Sequence, residues 1–513
     1  MKATNLKLPK LRLWLQQEER KLNNITGHFY RKAGFLACLF LCASLSAAAQ
    51  EWSFDANTQK AYDLVLNFQT QEALTLIPNP KTVEEHYVTS LAEALELLIT
   101  EDAVRYPEYE NHFEALLDRK TKLRSPHDLF LQAEIALHWS FVHLKYGHEF
   151  EAALNLRQAY HTSQEIRTRF PKYTAINKTS GLMQIIIGSI PEKYNWILGM
   201  MNIEASTEDG IKELEDIRKS DHALAFESDL LFAVVQGFIL QHPEVGLHTI
   251  HELLNEKPNN KLALFIGASL AIKNAQSEIA LTYLNTLQKQ HSEEPIYYAD
   301  YLKGEVYLQK GDYIDAIASF RWFINHYDGQ NYIKDAHYKI GLCYLLNGNE
   351  NDAKAMFKQA KTVGKASAEA DRYAERALTA DLPHVKLTKI RYAIDGGYYE
   401  DATNLMASIR GDELKTKRDQ VEYFYRKARL AHKTGDLTNA QQLYLQTAIT
   451  AEEEPWYYAP NAYLQLGYMA VAANDKANAK IYFKKAIGYK NHEYKNSIDS
   501  KAKFALDHLK ERK

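Results

Sequence analysis

Small and apolar residues recur three and four apart through most of the chain, which is the spacing of one helical face. In "GEVYLQKGDYIDAIASF", residues 304–320, Gly304 and Tyr307 share one face. Ala316 and Phe320 share another, and Lys310-Gly311-Asp312 is the polar break between the two helices. This predicts a helical hairpin. A small residue on each helix lets the two backbones approach, and the aromatics fill the groove beside the crossing. One hairpin cannot bury such a face alone, so the pattern has to recur.

It does. "HYKIGLCYLLNGNENDAKAMFKQA" holds Gly341, Tyr344, Gly348, Ala353, Phe357 and Ala360 at the same offsets, and Gly304 to Gly341 is a step of 37 residues. "FYRKARLAHKTGDLTNAQQLYLQTA" holds Ala428, Gly435, Leu437, Ala440 and Tyr444. "AYLQLGYMAVAANDKANAKIYFKKA" holds Tyr463, Leu466, Gly467, Ala479, Phe483 and Ala486, and Ala428 to Gly467 is a step of 39. Weaker copies lie at 265–284, with Gly267 and Ala280, and at 389–406, with Gly397, Tyr399 and Ala402. Self-similarity at this period predicts an all-α solenoid of stacked hairpins.

The first half is helical but less regular. Residues 59–77 read as a hairpin closed at Pro78, and 129–160 carry Gly147, Ala152 and Ala159 in repeat-like register. The last stretch, 497–513, reads as a capping helix with Ser500 or Asp499 as its N-cap. Residues 181–203, "GLMQIIIGSIPEKYNWILGMMNI", are apolar on nearly every face to both sides of Pro191. Such a segment is either a buried helix pair or a hydrophobic patch, with Ile187, Tyr194, Trp196 and Met200 able to hold a lipid or touch a membrane.

Arg31-Lys32, the apolar run 33–46 and Ala47-Ala48-Ala49 have the basic, apolar, small-residue order of a secretory signal peptide. The expectation is export to a periplasm, with residues 1–49 removed; the alternative is retention of 33–49 as a membrane anchor. The chain then divides into a leader and signal peptide (1–49), N-terminal hairpins (50–176), an apolar segment with degenerate repeats (177–258), a solenoid (259–491) and a capping helix (492–513).

Composition narrows the function classes. The chain has 62 Lys+Arg against 65 Asp+Glu, net −3, so it offers no strongly basic face for nucleic acid. Its 33 Tyr suit half-buried packing and binding surfaces. Beyond Cys38 and Cys42 in the leader only Cys343 remains, so no disulfide forms within the mature chain. No phosphate loop, nucleophile elbow or zinc-protease motif occurs. His138, His143 and His148 stand five apart, which scatters them around one continuous helix. The pair His248 and His251 has no evident third ligand. The reading is therefore no enzyme, no cofactor and no metal.

The unit built on residues 460–486, 297–323 and 334–360 resembles the tetratricopeptide repeat family. Its departures are the absent closing Pro at Asp328 and Asn491 and the long steps between repeats. The resemblance implies a right-handed superhelix whose first helices line a concave groove. Counted from the repeat glycines, the groove positions are Tyr298, Tyr301, Glu305 and Leu308, then Asp335, Tyr338, Leu342 and Leu345, then Glu422, Tyr425, Arg429 and His432, then Asn461, Leu464 and Tyr468. The Lys and Asn with which chaperone-binding members grip a C-terminal carboxylate are replaced here by Tyr301, Glu305, Tyr338 and Leu342. The stripe fits either an apolar protein segment or packing within a tight superhelix. Residues 180–214 also resemble the tetratricopeptide repeat protein 39 family through Gly181, Ser189, Pro191, Gly199, Gly210 and Leu214, and that family is linked to lipid handling and protein clearance. The expected function is an exported, non-enzymatic scaffold for protein partners, serving envelope assembly or secretion, with peripheral membrane contact. The alternative is a carrier of hydrophobic ligands.

Overall fold

The computed structural model describes residues 51–117, 125–189, 205–290, 294–366 and 368–511. Among them are 24 α-helices and no strand. The first four are α1 (Ala56–Val65), α2 (Thr70–Leu76), α3 (Val83–Thr100) and α4 (Tyr106–Leu117). Paired helices follow: α5 (Pro126–Lys145) with α6 (Glu149–Arg169), α7 (Ile176–Gly188) with α8 (Thr207–Arg218), and α9 (Ala225–Val234) with α10 (Pro243–Glu256). Next come α11 (Lys261–Lys273) with α12 (Ser277–Gln288), α13 (Tyr298–Lys310) with α14 (Tyr313–His326), and α15 (Ile333–Leu346) with α16 (Glu350–Ala360). A single helix, α17 (Glu369–Ala377), leads to α18 (Val385–Gly396) with α19 (Tyr399–Ala407), α20 (Lys417–Lys433) with α21 (Leu437–Ala451), α22 (Tyr458–Ala472) with α23 (Lys476–Gly488), and α24 (Lys495–Glu511). The fold is an α-solenoid of stacked hairpins.

The repeat glycines have a definite steric job. A Cβ on Gly304 would lie 2.7 Å from the ring of Phe320, one on Gly341 2.7 Å from Phe357, and one on Gly467 2.3 Å from Phe483. Each glycine thus admits the phenylalanine of the second helix over the first, rather than bringing the two backbones together. Between the helices the chain turns through a left-handed residue. This is Gly311 (φ 92°), Gly348 (φ 87°) and Gly435 (φ 87°), with Asn474 (φ 58°) in the last repeat. The alanines Ala316 and Ala479 are fully buried at the crossings. Ala316→Leu and Ala479→Leu should each destabilise by about 1–3 kcal/mol, because three further carbons must enter a filled contact. Urea titration checks this, and an unchanged midpoint in both variants would place the alanines on the surface.

The N-terminal helices do not form a separate body ahead of the repeats. One contiguous apolar core runs from Trp52 and Tyr62 through Leu264 and Phe320 to Tyr392. Carboxylates tie it across long sequence distances. Glu294 accepts the Thr70 and Gln71 backbone N–H groups at 2.7 and 2.8 Å. Glu101 accepts the Gln330 and Asn331 N–H groups at 2.9 and 3.1 Å and pairs with Lys145 at 2.6 Å.

In the segment 181–203, Gly181 and Gly210 are the crossing of α7 and α8. A Cβ on either would lie 2.7 Å from the other's carbonyl oxygen, and Leu214 is fully buried beside them. Ile187 is core, 3 % exposed, which corrects its expected place on a ligand-holding patch: it packs with Leu182, Ile185 and Leu214. Tyr194, Trp196 and Met200, with Pro191 and Gly199, lie outside the described residues, as do the leader and signal segment. No helix among the described residues is long and apolar enough to cross a membrane. The capping helix starts earlier than expected. It runs from Lys495, so Asp499 and Ser500 are interior, and Asp499 pairs with Lys495 one turn back at 2.6 Å.

Candidate functional site

Stacking alone would continue in one direction, but the solenoid changes course after α16. Gly396, at the end of α18, comes so close to α13 that a Cβ would lie 2.7 Å from that of Gln309. Gly397 (φ 87°) abuts the carbonyl oxygen of Ala275 in the α11–α12 turn. The helices that follow therefore face those that precede. A groove of about 2170 Å³ lies between them.

One wall is α13 and α15, with Glu305, Asp335, Tyr338, Lys339 and Leu342. The floor is α17 and α18, with Tyr373, Arg391 and Asp395. The other wall is α20 and α22, with Glu422, Tyr425, Arg426, Arg429, Asn461, Leu464 and Tyr468. The helix α24 adds Lys501 and Phe504 at the end.

Ten of the fifteen groove positions expected from the repeat register line this space, among them Glu305, Tyr338, Leu342, Tyr425, Arg429 and Tyr468. Their accessibility differs from the expectation. Tyr338, Leu342 and Tyr425 are 5, 1 and 3 % exposed, so they are wall rather than free side chains, whereas Tyr468 is 38 % exposed and Arg429 is half-buried. Tyr298 and Tyr301 leave the groove altogether. Their rings stack 5.1 Å apart, and that of Tyr301 also meets Phe320, Phe323 and Tyr332. The position counted as exposed is turned inward because the next hairpin closes over it.

Polar groups in the first wall are largely satisfied by one another. Tyr301 Oη donates to Asp335 Oδ2 at 2.6 Å, and Lys339 Nζ reaches Tyr301 Oη at 2.8 Å, Asp335 at 2.7 Å and Glu305 at 2.6 Å. Burial would lower the Lys339 pKa, but Asp335 and Glu305 outweigh it and hold the ammonium above its ordinary value. Burial raises the Glu305 carboxyl, opposed by Lys339. The floor and the second wall are arginine on tyrosine. The Arg391 guanidinium lies 5.4 Å from the Tyr373 ring centre and donates to its hydroxyl at 2.9 Å. Arg426 is held by Glu422 at 2.7 Å and by the Tyr457 hydroxyl at 2.9 Å, against the rings of Tyr425 and Tyr458. Burial raises the Tyr468 phenol to about 12, so it stays a neutral donor. Arg391 and Tyr373 were not found from sequence, because α17 and α18 carry too little of the repeat for its register to be counted, and Tyr457 was missed because it precedes the first counted position of its repeat.

The tetratricopeptide repeat family's sequence profile matches residues 334–363 and 460–492, two of the hairpins whose first helices form opposite walls. The chain contains tetratricopeptide repeats. Its repeats are those of a protein-interaction scaffold. The match does not extend to residues 180–214, so the further resemblance there stays an expectation. No curated protein matches this tetratricopeptide repeat chain. Among solved structures, a human IFIT1 dimer with m7Gppp-AAAA is 14 % identical, covering 89 % of this chain and 96 % of that one, with a TM-score of 0.33. The P58(IPK) TPR domain is 14 % identical over 84 % of this chain and 99 % of its own, with a TM-score of 0.22. Cut9 with Hcn1, from the APC/C, is 12 % identical over 89 and 94 %, with a TM-score of 0.29.

Proposed function

We propose that this protein is a non-catalytic scaffold that holds an extended segment of a partner protein in the groove between α13–α15 and α20–α22. The observation that supports it is the convergence of first-helix side chains from four hairpins on one groove, with Tyr468 exposed and Arg429 half-buried on its wall. Aromatic and arginine side chains on a preformed wall are the residue types that dominate protein recognition. Acidic and basic side chains are nearly balanced along the lining, which favours a polypeptide over a nucleic acid. The scaffold acts after export, a reading carried by the basic, apolar and small order of residues 31–49. Service in envelope assembly or secretion belongs to the same proposal.

Crosslinking capture from intact host cells tests it, with Arg429→Ala and Tyr468→Ala beside the wild type and intact mass recorded on the same preparations. Partner capture should fall about tenfold or more in both variants, since each anchor commonly contributes about 2 kcal/mol. The thermal midpoint should hold within a few degrees. Stable variants that capture the same partners at wild-type yield would eliminate the groove, and retention of Met1 or Cys38 would eliminate export with cleavage.

A further inference from the structure

Two clusters of carboxylate and imidazole groups occur among the described residues, and they differ in what neutralises them. In the first, Glu134, His138 and Glu227 come together in the core, and the positive charge is already supplied by Lys178, whose Nζ lies 2.6 Å from both carboxylates. That cluster is complete. In the second, Glu110, His143 and His148 place one ligand atom each within 4.8 Å of one another. The ion pair of Glu110 is to a histidine, His143 Nε2 at 3.3 Å, and among the described residues no lysine ammonium or arginine guanidinium pairs with Glu110 as Lys178 pairs with Glu134 and Glu227.

The fold brings the second cluster together by ending a helix. Lys145 ends α5, Gly147 turns with φ 83°, and His148 is the residue before α6. His148 is thereby carried back beside His143, one turn from the end of α5, and both face Glu110 on α4. On a continuous helix a spacing of five would have separated them.

Supporting contacts fix the three side chains in place. Tyr106 Oη donates to Glu110 Oε1 at 2.9 Å and lies 3.0 Å from His148 Nδ1. The Asn155 side-chain amide lies 3.0 Å from His143 Nδ1 and is itself buried. An amide can turn its oxygen or its nitrogen to that position, so Asn155 can accept from Nδ1–H and leave the Nε2 lone pair directed at Glu110. Phe113 and Trp139 pack against the His143 ring and hold its plane. The 3.3 Å between His143 Nε2 and Glu110 Oε1 matches the roughly 3.3–3.4 Å edge of a tetrahedron with arms of about 2.0–2.1 Å, the zinc–nitrogen and zinc–oxygen length. On the open side are the exposed His148 and Glu151.

We propose that Glu110, His143 and His148 form a site for one divalent transition cation of the zinc type, pinning α4 to the α5–α6 turn. Two imidazoles and one carboxylate suit zinc and leave a coordination position to water or Glu151. Tyr106 and Asn155 are the positioning residues around it.

The full-length protein, without a histidine tag and stripped with EDTA, is titrated with zinc chloride by calorimetry, and its thermal midpoint is read with and without zinc. One equivalent should bind, and zinc should raise the midpoint. His148→Ala, an exposed position, should weaken binding at least ~10-fold and abolish the rise, Glu110→Gln should do the same, and His248→Ala on α10 should leave both unchanged. Stripped wild type that takes up no zinc would overturn the site. So would wild-type affinity in both His148→Ala and Glu110→Gln, or equal loss in His248→Ala.

Discussion

Lys178→Met is expected to destabilise the protein by about 3–5 kcal/mol, the cost of leaving buried charge without its partner. Lys178 is 2 % exposed and lies on α7, where it joins three separate parts of the fold. Its ammonium reaches Glu134 on α5 and Glu227 on α9 at 2.6 Å each, and the Tyr87 hydroxyl on α3 at 2.7 Å. Glu227 also accepts from Tyr62 at 2.7 Å and Tyr87 at 2.5 Å. Methionine matches the length of the side chain but not its charge, so two carboxylates remain in the core facing each other.

The pH dependence gives this prediction a sign. Burial alone would raise the Glu134 carboxyl, but the Lys178 ammonium outweighs it, together with His138, and holds it at about 2. A carboxyl held below its unfolded value contributes stability that is present above about pH 4.5 and is lost as the pH falls towards 2. In Lys178→Met the burial effect is unopposed by the ammonium, so the folded-state value rises above the unfolded one. The deficit of the variant should then be largest at neutral pH and should shrink as the pH is lowered and the carboxyls take up protons. Urea titration at pH 7 and pH 5 measures both. Lys178→Met combined with Glu134→Gln and Glu227→Gln should recover much of the loss, since neutral amides leave no unpaired charge. A midpoint equal to that of the wild type in the single variant would show that the ammonium does not sit between the two carboxylates.

Tyr301→Ala is the second large effect, expected at about 3–5 kcal/mol, as for other truncations of buried aromatics. Counted from the glycines alone, Tyr301 belongs either to a binding surface or to the core. Its 3 % exposure and its contacts with Tyr298, Phe320, Phe323 and Tyr332 make it core. Its hydroxyl also bridges Asp335 and Lys339. Tyr301→Phe keeps the ring and should cost less, about 1–3 kcal/mol, because the buried Asp335 carboxylate loses one donor and keeps Lys339. Thermal and urea midpoints of the two variants separate the ring from the hydroxyl. A wild-type midpoint for Tyr301→Ala would return the residue to the surface.

The hairpins of the second half were legible because their signal is local. A glycine, an alanine and a phenylalanine at fixed offsets are enough to specify one helix crossing, and Gly304 with Phe320, Gly341 with Phe357 and Gly467 with Phe483 obey the same geometry. The register of those glycines also located most of the groove wall. It could not state which wall positions are covered. Leu342 and Tyr468 each follow their repeat glycine by one residue, yet the first is 1 % exposed and the second 38 % exposed, because burial depends on what the next element lays over the position.

The sequence by itself therefore determined the helical content, the repeat, the left-handed turns at Gly311, Gly348 and Gly435, and the small residues each crossing requires. All of these follow from contacts between residues fewer than about two helical turns from the hairpin's own loop. The tertiary structure decided the rest: the turn of the solenoid that faces α18 towards α13, the seating of Glu101 and Glu294 on distant backbone, the Lys178 cluster, and the meeting of His143 with His148 and Glu110. Apart from His143 with His148, which one α5–α6 turn brings together, each of these joins residues of different hairpins and is set by the angle at which one hairpin packs on another. A three-and-four spacing fixes which face of a helix is buried and leaves that angle open.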